Sequence, residues 1–213
     1  MSLRDFIQKA AESGDLITIE QPVDVTFELA NVAHALEGKA VLFNQIIGYP
    51  DWRVIAGPCA ERQFFSMDLN VPLDQLTHHL TQALANPVVP EMVTEAPCQE
   101  IIVKDVDLNA LPVLLHLPAD AGHYIASNVV IMKDPDYGRN MCYHRLLRLD
   151  KNHFAIRLVE NRGTSTALKK TKGDLPVAIC IGVSQAVHLA ASMSPPPEVD
   201  ELAVANALAP TPL

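Results

Sequence analysis

The sequence has little of what marks a membrane, secreted or nucleic-acid-binding protein. No apolar run reaches the roughly 18 residues that a membrane helix needs. The four cysteines show no CxxC spacing and the first residues do not form a signal peptide, which predicts a reduced, cytoplasmic protein without a membrane partner. The net charge is −9 and there is no stripe of basic residues, so nucleic acid is not expected as a partner.

The common signatures of nucleotide-binding and hydrolase sites are missing as well. GxGxxG after a strand, GxxxxGK[ST], HExxH and GxSxG do not occur. His78 and His79 are adjacent on a predicted helix and point in different directions, so we interpret them as surface or boundary residues rather than metal ligands.

The composition that is present predicts a folded α+β protein. Apolar residues make up 49% of the 213 residues and charged residues 19%, which is typical of a chain with a real core. In residues 1–100, strands alternate with helices and indicate an α/β domain. Ser2 and Asp5 predict a capped first helix, and Thr26 is the predicted cap of a second helix that runs to about Ala35. Further helices are expected at 62–67 and 73–84, and strands at 16–19, 40–43 and 53–56.

Residues 101–213 predict a second, strand-rich domain after a proline-rich connector at 86–98. Strands are expected at 101–103, 126–132, 140–149 and 153–159, the last three as an antiparallel meander, with a further strand at 177–181 and helices at 164–170, 185–191 and 198–208. So few strands leave open sheet edges. We therefore expect a fragment, or a chain that associates with itself or with a complementing chain.

The chemically richest stretch is residues 139–145, which holds an amide, a thiol, a phenol, an imidazole and two guanidinium groups. An amide oxygen suits a hard cation, and an arginine can grip a carboxylate. On a regular strand Asn140 and Arg145 face opposite sides, so they serve one site only if a bulge or loop intervenes. A solvated edge strand is the alternative.

Two acidic positions have two interpretations each. Glu201 lies in the first turn of the last predicted helix, where it either complements the helix dipole or acts as a metal ligand. The segment 160–163 ends a predicted strand and is either a polar turn or part of a site.

Taken together, these residues resemble the UbiD family of reversible (de)carboxylases, which use prenylated FMN. The order and spacing of the matching segments extend over nearly the whole chain. The segments are 3–6, 14–16, 22–24, 40–44, 105–109, 111–113, 140–145, 157–163, 175–178, 182, 192–193 and 199–201.

The resemblance implies an N-terminal α/β domain followed by part of a split β-barrel like that of flavin reductases, with the barrel incomplete. It also implies prenylated FMN, Mn²⁺ and K⁺ as cofactors, a flavin prenyltransferase as the cofactor's source, and a small carboxylic acid as substrate. Asn140 and Glu201 match metal ligands, and Asn161 stands where the family has a histidine ligand. Arg145 matches the arginine of a catalytic Glu–Arg–Glu network. The remaining cofactor-binding positions are Cys142, Tyr143, His144, Glu160, Ser192 and Met193.

Family members are longer, and their two catalytic glutamates lie downstream of the segment that matches this chain. We therefore expect the N-terminal portion of a decarboxylase of aromatic or α,β-unsaturated acids, inactive alone. A non-catalytic flavin-binding or assembly subunit that completes its barrel with another chain is the second hypothesis. A plain structural α+β domain is the third.

Overall fold

The computed structural model, which describes residues 2–213, divides its strands among three three-stranded sheets, in the orders β1-β2-β3, β4-β7-β8 and β6-β5-β9. The strands are β1 Leu16–Ile19, β2 Ala40–Phe43, β3 Val54–Ala56, β4 Tyr124–Ile125, β5 Asn128–Asp134, β6 Gly138–Cys142, β7 Leu146–Arg148, β8 Phe154–Ile156 and β9 Val177–Ile181. The helices are α1 Leu3–Glu12, α2 Glu28–Ala35, α3 Arg62–Leu69, α4 Leu76–Ala85, α5 Gly163–Lys170, α6 Gln185–Ser192 and α7 Glu201–Leu208. None of the helices within residues 2–213 is long and apolar enough to cross a membrane.

The N-terminal part of the chain, with α1, α3 and the β1-β2-β3 sheet, folds as its sequence pattern predicts. The Ser2 side chain accepts from the Asp5 amide and the Asp5 carboxylate accepts from the Ser2 amide, so the predicted capping box at α1 is confirmed. Phe6 is fully buried and meets Phe64 of α3 edge to face at 5.8 Å between ring centroids. β1 pairs in parallel with β2, and β2 pairs antiparallel with β3.

The start of α2 corrects the prediction that Thr26 caps this helix. The helix begins at Glu28 after Phe27, whose φ of 66° ends the extended chain, and no side chain caps it. The Thr26 amide donates to Asp24 Oδ1 at 2.6 Å, and the Asp24 amide donates to Glu28 Oε2 at 2.8 Å. Because Asp24 forms this local turn, the helix starts one residue later than expected.

The predicted meander of residues 126–159 is also wrong. β5–β6 and β7–β8 are antiparallel hairpins, but β6 and β7 belong to different sheets. The predicted single strand 140–149 is interrupted at residues 143–145, where Asn128 Nδ2 donates to the His144 carbonyl oxygen at 2.7 Å and takes it out of any ladder. The strand predicted at 101–103 is absent, and its three apolar side chains are 66–84% exposed.

The largest apolar cluster joins helices from the first part of the chain to the sheet of the second. Leu69 and Ala83 belong to the same cluster as Val129, Met141 and Ala190. The fold is thus mixed α+β, and no closed barrel forms within residues 2–213. The division at residue 100 stays a prediction.

Candidate functional site

The interruption between β6 and β7 is the feature that organises the site. It supplies the loop that Asn140 and Arg145 require if both are to serve one site. Asn140 lies on β6, and Arg145 is exposed in the loop formed by residues 143–145. We call these three residues the 143–145 loop.

Asn140 and Glu201 meet where the start of α7 packs against β6. Asn140 Nδ2 donates to Glu201 Oε1 at 2.7 Å, and the Met141 amide donates to Glu201 Oε2 at 3.0 Å. Glu201 is only 5% exposed, and burial is the main reason that its pKa lies above the usual range. Two of the predicted metal ligands are therefore adjacent.

An ion pair next to this contact joins β6 to the start of α7. Arg139 Nε donates to Asp200 Oδ2 at 3.0 Å, and Arg139 Nη2 donates to the same oxygen. Asp200 also caps α7 by accepting from the Leu202 amide at 2.9 Å. As a result α7 begins at Glu201, three residues later than predicted, with Glu201 facing Asn140.

The donor set of this pair suits a hard divalent cation. A buried carboxylate and an amide are oxygen ligands of the kind that Mn²⁺ and Mg²⁺ prefer, and the Glu201 carboxylate is desolvated. The Asn140 Oδ1 atom faces α5, since a Cβ placed on Gly163 would lie 3.1 Å from it. Binding through this oxygen requires the amide to rotate away from its present hydrogen bond. Among residues 2–213 there is no group of three or more histidine, cysteine, aspartate or glutamate side chains suited to a metal ion.

Asn161 and Glu160 are exposed on the surface and contact Lys169. Asn161 adopts a left-handed backbone with φ of 59°, and its Oδ1 accepts from Lys169 Nζ at 3.2 Å. The same ammonium lies 3.7 Å from a Glu160 carboxylate oxygen. Both side chains are therefore directed toward Lys169, near the end of α5.

Cys142 and His144 form a compact polar cluster with Thr164 of α5. His144 Nε2 lies 2.8 Å from Thr164 Oγ1, and Cys142 Sγ lies 3.2 Å from His144 Nε2. Burial raises the pKa of Cys142 and lowers that of His144, so both groups favour their neutral forms. Thr164 was not predicted as a site residue, although it lies at the start of a predicted helix, directly after Gly163 of the segment that matches the family.

Tyr143 points the other way, to α6. Its hydroxyl oxygen lies 2.6 Å from His188 Nδ1, and the two rings are parallel within 5°. Four residues further along the same helix, Ser192 donates its hydroxyl to the Leu189 carbonyl at 2.7 Å, and Met193 follows, partly buried against the main cluster. His188 was missed, although its i, i+4 spacing to Ser192 places both on one helix face.

Comparison with protein families gives two matches that together include most of the chain. Residues 7–84 match the 3-octaprenyl-4-hydroxybenzoate carboxy-lyase N-terminal domain, and residues 91–213 match the Rift-related domain of the same carboxy-lyase. The chain is 31% identical over 96% of its length to an anhydromevalonate phosphate decarboxylase from Methanothermobacter thermautotrophicus, and covers 48% of that protein. It is 31% identical over 81% of its length to gallate decarboxylase from Lactiplantibacillus plantarum, and covers 38% of it.

Solved structures agree with these matches. The UbiD-class enzyme HmfF from Pelotomaculum thermopropionicum, in complex with FMN, has a TM-score of 0.94 and 33% identity, with 100% of this chain and 49% of that chain covered. Vanillic acid decarboxylase from Sedimentibacter hydroxybenzoicus, in closed form, has a TM-score of 0.90 and 26% identity, with 97% and 48% covered. The chain thus spans about half the length of the relatives it matches, and it belongs to the UbiD family.

Proposed function

We propose that this chain is the N-terminal portion of a UbiD-type decarboxylase and forms the cation-dependent half of its prenylated FMN site. The observation that carries the proposal is the contact of Asn140 with Glu201 at 2.7 Å, beside the 143–145 loop. It is supported by the structures of HmfF, which were determined in complex with FMN and, in an evolved dimeric form, with prenylated FMN.

The residues have distinct roles in this proposal. Asn140 and Glu201 would hold a divalent cation, Mn²⁺, which would supply positive charge to the flavin phosphate, and K⁺ would be the second cation of the site. Asn161 would be the third ligand, in place of a histidine, and its side-chain oxygen would exchange its present hydrogen bond with Lys169 for the cation. Glu160, which precedes Asn161, is a further proposed cofactor-binding residue.

The 143–145 loop and the end of α6 line the flavin itself. Cys142, Tyr143 and His144 would bind the cofactor through their backbone, together with Ser192 and Met193. When bound, the modified flavin supplies the electron sink that decarboxylation needs. Arg145 grips the carboxylate of an aromatic or α,β-unsaturated acid through its exposed guanidinium. The cofactor reaches the site from a flavin prenyltransferase.

The protonation step lies outside these 213 residues in the proposal. Replacing the lost carboxylate by a proton requires a positioned acid, and the resemblance assigns the catalytic glutamates to the half of the relatives that this chain does not match. Arg145 is the only member of the catalytic network matched here. We therefore expect cofactor binding without turnover from the chain alone.

A second candidate function, assembly with a complementing chain, is favoured by the edge of the β6-β5-β9 sheet. Val177, Ile179 and Ile181 alternate along β9 and are 44%, 39% and 54% exposed, and β9 pairs only with β5 among the described strands. An apolar edge strand of this kind is a template for a further strand. We assign that strand to the second half of a UbiD-type chain, which would complete the domain 101–213 as a split barrel.

The cation-dependent half-site is tested by titrating the chain with FMN in the presence of Mn²⁺ and K⁺ and following flavin fluorescence. Asn140→Ala and Glu201→Ala are expected to weaken FMN binding about tenfold or more, because each removes a ligand of the bridging cation. Glu198→Ala and Asn31→Ala change exposed residues of the same types and should bind like the wild type. Metal-independent binding, or equal binding by all five proteins, would contradict the proposal.

The second candidate has its own measurement. Analytical ultracentrifugation of the chain mixed with the C-terminal half of a UbiD-type enzyme should show a stable complex. Val177→Lys and Ile179→Lys, which place charges on the exposed face of β9, should dissociate it. A complex that tolerates both changes would exclude this edge as the docking surface.

A further inference from the structure

Helix α6 connects three parts of the molecule that are distant in sequence. At its start, Gln185 Nε2 donates to the Pro58 carbonyl oxygen at 2.6 Å. In its middle, His188 contacts Tyr143 of the 143–145 loop. At its end lie Ser192 and Met193, the second segment assigned to the cofactor. The contact between Tyr143 and His188 therefore joins the two cofactor-lining segments.

The geometry of this contact fixes where its protons lie. The Tyr143 hydroxyl is 2.6 Å from His188 Nδ1 and also 2.9 Å from the His188 carbonyl oxygen. A phenol has only one proton to donate. Both contacts are hydrogen bonds only if the phenol donates to the carbonyl and the imidazole donates from Nδ1 to the phenol oxygen. The proton of a neutral His188 is thus placed on Nδ1.

Burial favours the neutral form of both partners. It raises the pKa of Tyr143 to about 12 and lowers the pKa of His188. The rings also stack, with centroids 5.9 Å apart. Because Tyr143 is still 37% exposed, packing alone holds this side chain weakly, and the two hydrogen bonds are what attach it to α6.

We infer that His188 is a positioning residue of the cofactor site, acting through Tyr143 to set the 143–145 loop at a fixed distance from Ser192 and Met193. The role of His188 in cofactor binding rests on the proposed function. The restraint that His188 places on the loop can be measured without any cofactor. His188 does not itself touch the flavin in this account.

The test compares His188→Ala, His188→Asn and Tyr143→Phe with the wild type, and His78→Ala, an exposed histidine on α4, is the matched control. Asparagine keeps an N–H donor close to the position of Nδ1, so it should rescue the alanine variant. Backbone ¹⁵N relaxation gives the order parameters of residues 143–145, and ¹⁵N shifts of the imidazole report its tautomer. FMN affinity is measured on the same samples.

We expect order parameters near 0.85 in the wild type and below about 0.6 in His188→Ala and Tyr143→Phe. FMN affinity should fall about fivefold in His188→Ala, the ratio that corresponds to one hydrogen bond of typical net strength, and further in Tyr143→Phe, which loses both hydrogen bonds of the hydroxyl. His188→Asn should recover most of the loss, and the imidazole of His188 should carry its proton on Nδ1.

A loop that is mobile in the wild type, or equally ordered in His188→Ala, would overturn the inference even if FMN binds as proposed. An ordered wild-type loop that becomes mobile in both variants, in a chain that binds no FMN, would support the restraint and overturn the proposed function instead. The two failures are therefore distinguishable.

Discussion

Asn140 and Glu201 are 61 positions apart in the sequence, yet the amide of one donates to the carboxylate of the other at 2.7 Å. The contact exists because β6 and the first residue of α7 pack side by side. It places a buried, desolvated carboxylate next to an amide at the edge of the 143–145 loop. The proposed cation and flavin site depends on that pair.

The space around the Asn140 amide is limited by Gly163. A Cβ at this position would lie 3.1 Å from Asn140 Oδ1, so Gly163→Ala should displace the amide by a few tenths of an ångström. We expect Mn²⁺ affinity in the presence of FMN to fall about tenfold, as for other residues that orient metal ligands. Circular dichroism should show an unchanged fold, because alanine is a better helix former than glycine. Unchanged Mn²⁺ affinity would mean that Asn140 is not a ligand.

The Arg139–Asp200 ion pair should be structurally important for the site. Arg139→Met keeps the apolar stem but removes the guanidinium that binds Asp200. Because the side chains are 32% and 27% exposed, we expect a loss of only about 1 kcal/mol in the free energy of unfolding, together with weaker Mn²⁺ binding. Lys151→Met, which breaks the more exposed pair with Asp105, is the control and should change neither quantity.

Substitution of Asn128 should destabilise the fold. It is fully buried, and its Nδ2 donates to the carbonyl oxygens of His144 at 2.7 Å and Ile125 at 3.1 Å. Asn128→Ala leaves both carbonyls unpaired and should lower the free energy of unfolding by about 1–3 kcal/mol in urea denaturation. Asn128→Asp should cost more at neutral pH than in acid, because it sets a buried negative charge against two carbonyl oxygens. Equal stability of the two variants and the wild type would rule out this role.

The pH dependence of stability should have a contribution from Asp68. This residue is 1% exposed, neither side-chain oxygen has a well-formed hydrogen bond, and burial raises its pKa above 3.8 against the opposing effects of Lys9 and the Gln185 amide. The folded state therefore keeps the proton to higher pH than the unfolded state, and stability falls as the pH rises from 3.8 through the raised folded value.

Asp68→Asn removes the charge and should raise the free energy of unfolding by about 1 kcal/mol at neutral pH, with no gain below 3.8. Asp74→Asn, a change at an exposed aspartate, is the control. The same gain at both pH values would mean that the charge of Asp68 is not the cause.

Local features of the fold could be predicted from the sequence, and contacts between distant segments could not. The capping box of Ser2 and Asp5 needs only neighbouring residues, and it is confirmed. The need for a break between Asn140 and Arg145 also followed from strand geometry. The false cap at Thr26 arose because the amides of Glu28 and Leu29, which a Thr26 side chain would cap, donate instead to the backbone oxygens of Thr26 and Asp24, and local propensity does not decide between these partners.

The side chains that contact the 143–145 loop show why the arrangement of the site could not be predicted from the sequence. Asn128, Thr164 and His188 lie 16, 20 and 45 residues from the loop residues they contact. Each looks ordinary in its own segment, and only the packing of β5, α5 and α6 around the loop gives it a role. The separation of β6 and β7 into two sheets is likewise a tertiary outcome that turn residues alone do not determine.

The most direct test of the central claim is the electron paramagnetic resonance signal of free Mn²⁺ during a titration with the chain, with and without FMN. The signal should be lost when FMN and the wild-type chain are both present, and Glu201→Ala and Asn140→Ala should restore it. A signal that persists with the wild-type chain and FMN, or that Glu201→Ala removes equally well, would contradict a cation held by Asn140 and Glu201 at the flavin phosphate.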